Sequence, residues 1–155
     1  MEKQITFLPL TRDHIDAYVT YLQQALSQEP DLLWVDQVDE AGIRERFNDP
    51  FYQNTKSILA MDGNRVIGRI EYHFYGCLQD GYRMAYVDWV YVLPAYRHQG
   101  IAQRLFMEFE LDCAAKNIDQ SYLIRATNPN ADRFYRGFEN AELSDEPMLR
   151  RNIGE

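Results

Sequence analysis

The chain has 155 residues, the size of one domain, and residues 1–155 read as a single domain. Sixteen basic and 24 acidic residues leave a net charge of -8, which argues against a nucleic-acid partner, since phosphate-backbone binding needs a basic surface. An acidic surface suits a cationic ligand, and it also supports solubility. No apolar run approaches the roughly 18 residues that a membrane span needs, so no membrane partner is expected.

Ile5-Thr6-Phe7-Leu8 reads as a first strand. Thr11 fits a helix N-cap with Asp13 in the first turn, and Ile15, Val19, Leu22 and Leu26 repeat at helical spacing to about Ser27. Glu29-Pro30-Asp31 breaks that helix, and a shorter one runs from about Glu40 to Phe47, ended by Asp49-Pro50. Ser57 to Met61 and Val66 to Tyr75 read as strands around an Asp62-Gly63-Asn64 hairpin turn. After Gln79-Asp80-Gly81 comes a strand from Ala85 to Val92, ended by Leu93-Pro94. Ile101, Leu105, Phe109 and Cys113 mark one face of a helix to about Lys116. A strand over Ser121–Ala126, a short helix over Asn130–Phe138 and a last strand over Met148–Asn152 complete the order. The expected fold is mixed α/β, a mostly antiparallel sheet of six to seven strands flanked by about four helices.

Arg97-His98-Gln99-Gly100-Ile101-Ala102 joins the strand ending at Val92 to the helix beginning at Ile101. A loop there gathers backbone N–H groups at a helix N-terminus, where the partial positive charge of the helix favours an anion. Gly100 has no Cβ, so a ligand can approach the backbone closely. The stretch reads as the site of a pyrophosphate-bearing cofactor. Cys113 falls on the apolar helix face and Cys77 at a strand end or loop, with no metal-like spacing. His14 and His73 lack the partner spacing of a metal site, so none is expected. Two cysteines with no secretion signal suggest a reducing, cytoplasmic setting.

Arg97-x-x-Gly100-x-Ala102 resembles the cofactor signature Arg/Gln-x-x-Gly-x-Gly/Ala of the GNAT family of N-acetyltransferases. Val90-Tyr91-Val92 and Pro94 sit where that family has its fourth strand and the lead-in to the loop. Asn128-x-x-Ala131-x-x-Phe134-Tyr135 resembles its second motif, and the order of elements is similar from about residue 5 to 142. The family follows the motif tyrosine with Tyr-x-x-x-Gly-Phe, whereas this chain reads Tyr135-Arg136-Gly137-Phe138-Glu139-Asn140. Either Gly137-Phe138 is that pair, two residues early, or Glu139-Asn140 replaces it.

The resemblance implies that acetyl-CoA, as co-substrate, lies where the fourth and fifth strands splay apart. The backbone of Val90, Tyr91 and Val92 would pair with the pantetheine arm, and Arg97, His98, Gln99, Gly100, Ile101 and Ala102 would cradle the pyrophosphate. Asn128, with Ala131 beside it in the motif, would hydrogen-bond the pantetheine amides; Asn128 is equally suited to capping a helix. Tyr135 resembles the family's general acid, which protonates the departing thiolate, and a backbone N–H near Val92 would polarise the thioester carbonyl. The ammonium of the acceptor must lose a proton before it attacks. Asp88 is the first candidate base; strand alternation places it on one face with Val90 and Val92. Glu71 is the alternative, and either acid can instead bind the cationic acceptor.

In that family the segment between the first two helices shapes the acceptor pocket. Here it carries Glu29, Asp31, Asp36, Asp39 and Glu40 among Leu32, Leu33, Trp34 and Val35, a wall suited to an amine with an apolar body. Tyr72, Phe74 and Tyr75 are expected to line the same cleft. The leading reading is acetyl transfer to a small cationic amine. The competing readings are acetylation of a protein lysine or N-terminal amine, and a non-catalytic module that senses acyl-CoA. Many relatives are dimers, so the resemblance also points to a homodimer.

Overall fold

Continuous buried runs, Ile58 to Met61 in Thr55–Asp62 (β2) and Val66 to Ile70 in Arg65–Gly76 (β3), mark strands covered on both faces, and the two strands pair as an antiparallel hairpin closed by Gly63 in the left-handed region. Ile5–Pro9 (β1) pairs with the outer edge of β2, and Arg83–Val92 (β4) pairs with β3, both antiparallel. Gln120–Leu123 (β5) runs parallel to β4, giving the order β1-β2-β3-β4-β5. This computed structural model describes residues 4–154. They divide into one unit running up to Leu123 and a second beginning at Ile124.

Among the described residues the sheet has five strands rather than six or seven. Met148–Asn152 is not a strand: Met148 is 55% and Leu149 94% exposed, so no apolar surface takes up the two side chains that would anchor it. β5 is also shorter than its sequence suggests, ending at Leu123. Among the described residues no helix is long and apolar enough to cross a membrane.

Two helices cover opposite faces of the sheet. Thr11 caps a 3-10 turn, Arg12–His14, its N–H donating to His14 Nδ1 at 3.1 Å, and the chain continues into α1, Ile15–Gln28. Ile15, Tyr18, Val19, Leu22 and Ala25 form its buried stripe against β3. Asp39 caps α2, Glu40–Arg46, by accepting from the Gly42 N–H at 3.0 Å. On the other face α3, Ile101–Ala115, buries Ile101, Leu105, Phe106 and Phe109 against β2, β3 and β4. Full burial of one such side chain contributes about 1.5–3 kcal/mol. Asp112 fixes the far end of α3, accepting from the Tyr72 hydroxyl at 2.7 Å and from Lys56 Nζ at 3.2 Å. Burial pushes the neighbouring Cys113 thiol up to about 11, which makes it a poor nucleophile at neutral pH. The second unit holds α4, Pro129–Arg136, after which no helix or strand follows among the described residues.

Tyr21 ties α1 to β4 from within the core. Its hydroxyl donates to the Tyr91 carbonyl at 2.7 Å and accepts from Trp89 Nε1 at 3.1 Å, with no exposure to solvent. Tyr21→Phe keeps the ring but strands both partners, so it should lower stability by about 1–3 kcal/mol, read as a lower urea midpoint with an unchanged slope.

Candidate active site

Leu93 donates its N–H to the Ile67 carbonyl at 2.9 Å, so by antiparallel alternation Val92 and Val90 turn their backbone groups to the other edge of β4. β5 pairs with Met84–Val87, and among the described residues that edge has no strand partner from Asp88 onward. Arg97 Nε donates to the Val92 carbonyl at 3.0 Å, while its Nη2 meets Glu29 Oε1 at 3.2 Å and its guanidinium stacks 5.1 Å from the Tyr91 ring. Arg97 therefore spends its charge on holding the end of β4 to the end of α1.

The chain then turns through the left-handed region twice, at His98 (φ 62) and Gly100 (φ 76), before entering α3. The first helical N–H to find a partner is that of Arg104, which donates to the Gly100 carbonyl at 3.1 Å. Those of His98, Gln99, Gly100, Ile101, Ala102 and Gln103 have no acceptor among the described residues. A run of unpaired amides with left-handed residues at the head of a 15-residue helix is an arrangement that can hold an anion such as a phosphate. A Cβ built on Gly100 would meet nothing within 4 Å, so the glycine faces open space rather than protein.

A second cluster forms on the α1 face of β3 and β4. The register passes from Glu71 opposite Trp89 to Tyr72 opposite Val87, so Asp88 is the extra residue of a β-bulge. The bulge puts Asp88 and Trp89 on the same face. Asp88 Oδ2 reaches His73 Nε2 at 2.7 Å, and the Trp89 indole reaches Tyr21 on α1. Glu71 completes the group, with ligand atoms of Glu71, His73 and Asp88 all within 4.8 Å of one another. Beneath it Arg69, 4% exposed, donates to Ser57 Oγ at 2.9 Å, pairs with Glu71 at 3.2 Å and lies 4.8 Å from the Tyr18 ring. Burial raises the Glu71 carboxyl above the ordinary carboxylate range; Arg69 pulls it back, and Asp88 lifts it again. Two carboxylates and an imidazole in this arrangement can accept a proton, bind an ammonium or ligate a divalent cation.

A family model described as acetyltransferase (GNAT) matches residues 15–138, across both units of the structure. The chain belongs to the GNAT acetyltransferase family. The fold of this GNAT chain is shared by an aminoglycoside acetyltransferase from an uncultured soil metagenomic sample, at a TM-score of 0.71 and 14% identity over 94% of this chain and 97% of the other. It is shared too by a ribosomal-protein-alanine N-acetyltransferase from Brucella melitensis biovar Abortus 2308, at 0.75 and 16% identity over 96% and 100% of the two chains. An integron cassette protein from the mobile metagenome of V. cholerae matches at 0.76 and 17% identity over 97% and 93%. No curated protein matched the sequence.

Three expectations for this GNAT chain change in the structure. Asp88 does not share a face with Val90 and Val92, because the bulge reverses the alternation: Val90 lies opposite Ile70 and Val92 opposite Gly68, on the α3 side. Tyr72 and Phe74 are on that same side, away from Glu71 and His73. Tyr72 is 2% exposed and packs edge-on at 4.8 Å against Phe109, and Phe74 lies under Lys56 Nζ. Tyr72 is thus a core residue rather than a cleft residue. His73, which linear spacing left without partners, gains Asp88 from the neighbouring strand and Glu71 from its own.

The segment from Glu29 to Val38 forms no helix or strand, and Asp31, Trp34 and Asp36 are exposed, Trp34 at 86%. In the second unit Asn128 caps α4, its Oδ1 accepting from the Ala131 N–H at 2.9 Å. Tyr135 stacks on Phe138 at 6.2 Å and meets Phe134 edge-on at 5.2 Å, and burial raises its phenol above the ordinary range. A raised phenol keeps its proton at neutral pH, as a proton donor must.

Proposed function

We propose that the chain is an acetyl-CoA-dependent N-acetyltransferase that acetylates the primary amine of a small cationic molecule by direct attack in a ternary complex. The observation that carries this reading is the run of unpaired amides from His98 to Gln103 at the head of α3, beside the open edge of β4. The family match across residues 15–138 supports treating residues 1–155 as one acetyltransferase domain. In the reaction the ammonium passes its proton to the Glu71–His73–Asp88 group, directly or through water. The free amine forms the new N–C bond, the C–S bond of the thioester breaks, and the thiolate takes a proton from Tyr135. Backbone N–H groups on the free edge at Val90 and Val92 polarise the carbonyl during attack. Asp31, Asp36 and Trp34 supply an acidic, aromatic approach for the acceptor.

A thiol-release assay with acetyl-CoA against polyamines, amino sugars, amino acids and peptides tests the reading. Turnover with a small amine is the expected result. Turnover with peptides alone would make the acceptor a protein, and tight acetyl-CoA binding without turnover would favour a sensor. Tyr135→Phe is expected to lower kcat by about 10²-fold or more while acetyl-CoA affinity holds. Unchanged turnover would reduce Tyr135 to a packing partner of Phe134 and Phe138.

A further inference from the structure

Four aromatic rings form a continuous row on the α1 face, crossing three strands. His73 on β3 stacks with Tyr86 on β4 at 6.4 Å, and Tyr86 meets Tyr122 on β5 at 5.1 Å. Tyr122 meets Tyr75, back on β3, edge-on at 6.5 Å. The Tyr75 and Tyr122 hydroxyls are hydrogen-bonded at 3.0 Å, and that bond pushes the Tyr75 phenol up to about 12, so its ring stays neutral at physiological pH. Tyr75 and Tyr122 are 43% and 46% exposed, whereas Tyr72 on β3 and Tyr91 on β4 are at 2% and 6%. The outer end of the row thus offers ring surface to solvent, while its inner end runs through His73 into Asp88 and Glu71.

The strip is amphipathic along its length, with flat apolar faces at one end and two carboxylates at the other. Its chemical complement carries an ammonium at one end and a flat body at the other. A linear polyamine or a lysine side chain can set a cation over a tyrosine ring but has no flat body to stack along the row. An aromatic ring, or the C–H face of a sugar, supplies one. We infer that the His73–Tyr86–Tyr122–Tyr75 row is the acceptor subsite, and that it selects primary amines carried on a ring. The ring lies over His73 and Tyr86, bordered by Tyr75 and Tyr122, and the ammonium reaches Asp88, which meets His73, and Glu71 beside it. This inference rests on the acetyltransferase reading above for its reaction, but its binding step stands independently of turnover.

The test is calorimetric binding of 2-phenylethylamine, glucosamine and putrescine to the full chain, followed by thiol release with each. Both ring amines are expected to bind at least about fivefold more tightly than putrescine, with the two ring probes separating an aromatic from a sugar body. Tyr75→Ala and Tyr122→Ala should each weaken the ring amines by about 2- to 12-fold and leave putrescine within about twofold. Tyr75→Phe and Tyr122→Phe keep the rings, so they should retain that binding and show that the alanine effect is not misfolding. Putrescine binding as tightly as the ring amines, or equal losses for all three probes, would overturn the inference. Ring-selective binding without thiol release would leave the subsite standing and sink the acetyltransferase reading. Turnover confined to linear amines would do the reverse.

Discussion

Glu71→Gln combined with Asp88→Asn is expected to lower kcat by about 10²–10⁴-fold, the range by which a positioned acid or base accelerates proton transfer. The pair matters because the β-bulge at Asp88 brings both carboxylates and His73 to one point. Each single variant should lose less, since the other carboxylate and His73 still accept the proton. Acetyl-CoA affinity should hold, because the unpaired amides that would bind its phosphates belong to the loop before α3. The pH profile carries the same logic. Glu71 is lifted by burial first and by Asp88 in addition. A base works only when deprotonated, so kcat/KM should rise with pH through a limb above the ordinary carboxylate range. Asp88→Asn removes the neighbouring charge, so Glu71 should titrate lower and the limb should move toward acid. A limb that stays in place would mean that Glu71 is not the titrating group.

The loop and the cluster differ in how far the amino-acid order reveals them. Gly100 follows an apolar strand and precedes an amphipathic helix, so its role depends on neighbours within a few residues. Its left-handed φ of 76 is what a glycine at that junction permits. The cluster depends on pairing. His73 and Asp88 are 15 residues apart and meet only because Tyr72 pairs with Val87 while Glu71 pairs with Trp89. One extra residue in β4 reverses the faces that strict alternation assigns, which is why Asp88 separates from Val90 and Val92. Along β3 every second residue belongs to a different environment. Tyr72 and Phe74 face α3, whereas Glu71, His73 and Tyr75 face the cluster, a division that an aromatic-rich run conceals. Strand number failed for another reason. Met148 and Leu149 are an apolar pair next to two arginines, and two residues are too few to bind a strand to a sheet edge.

Gly100→Val should raise the acetyl-CoA Kd by about 10- to 100-fold, corresponding to the loss of one charge-assisted hydrogen bond or slightly more. Two effects are mixed in such a variant, and the structure allows them to be separated. A side chain at φ 76 is strained wherever it sits, at a cost of about 1–2 kcal/mol in stability. Gly63 at φ 59 and Gly81 at φ 74 share that conformation, and a Cβ at either also meets nothing within 4 Å. Gly63→Val and Gly81→Val therefore carry comparable backbone strain in turns outside the loop before α3. All three variants should lose a similar increment in Tm, and only Gly100→Val should lose acetyl-CoA binding, because only there do the new methyl groups occupy the space the free amides face. Equal Kd values for the three variants would show that the amides from His98 to Gln103 do not hold the phosphates. Selective loss at Gly100 would place the pyrophosphate on the backbone rather than on Arg97, whose guanidinium the Val92 carbonyl, Glu29 and Tyr91 already engage.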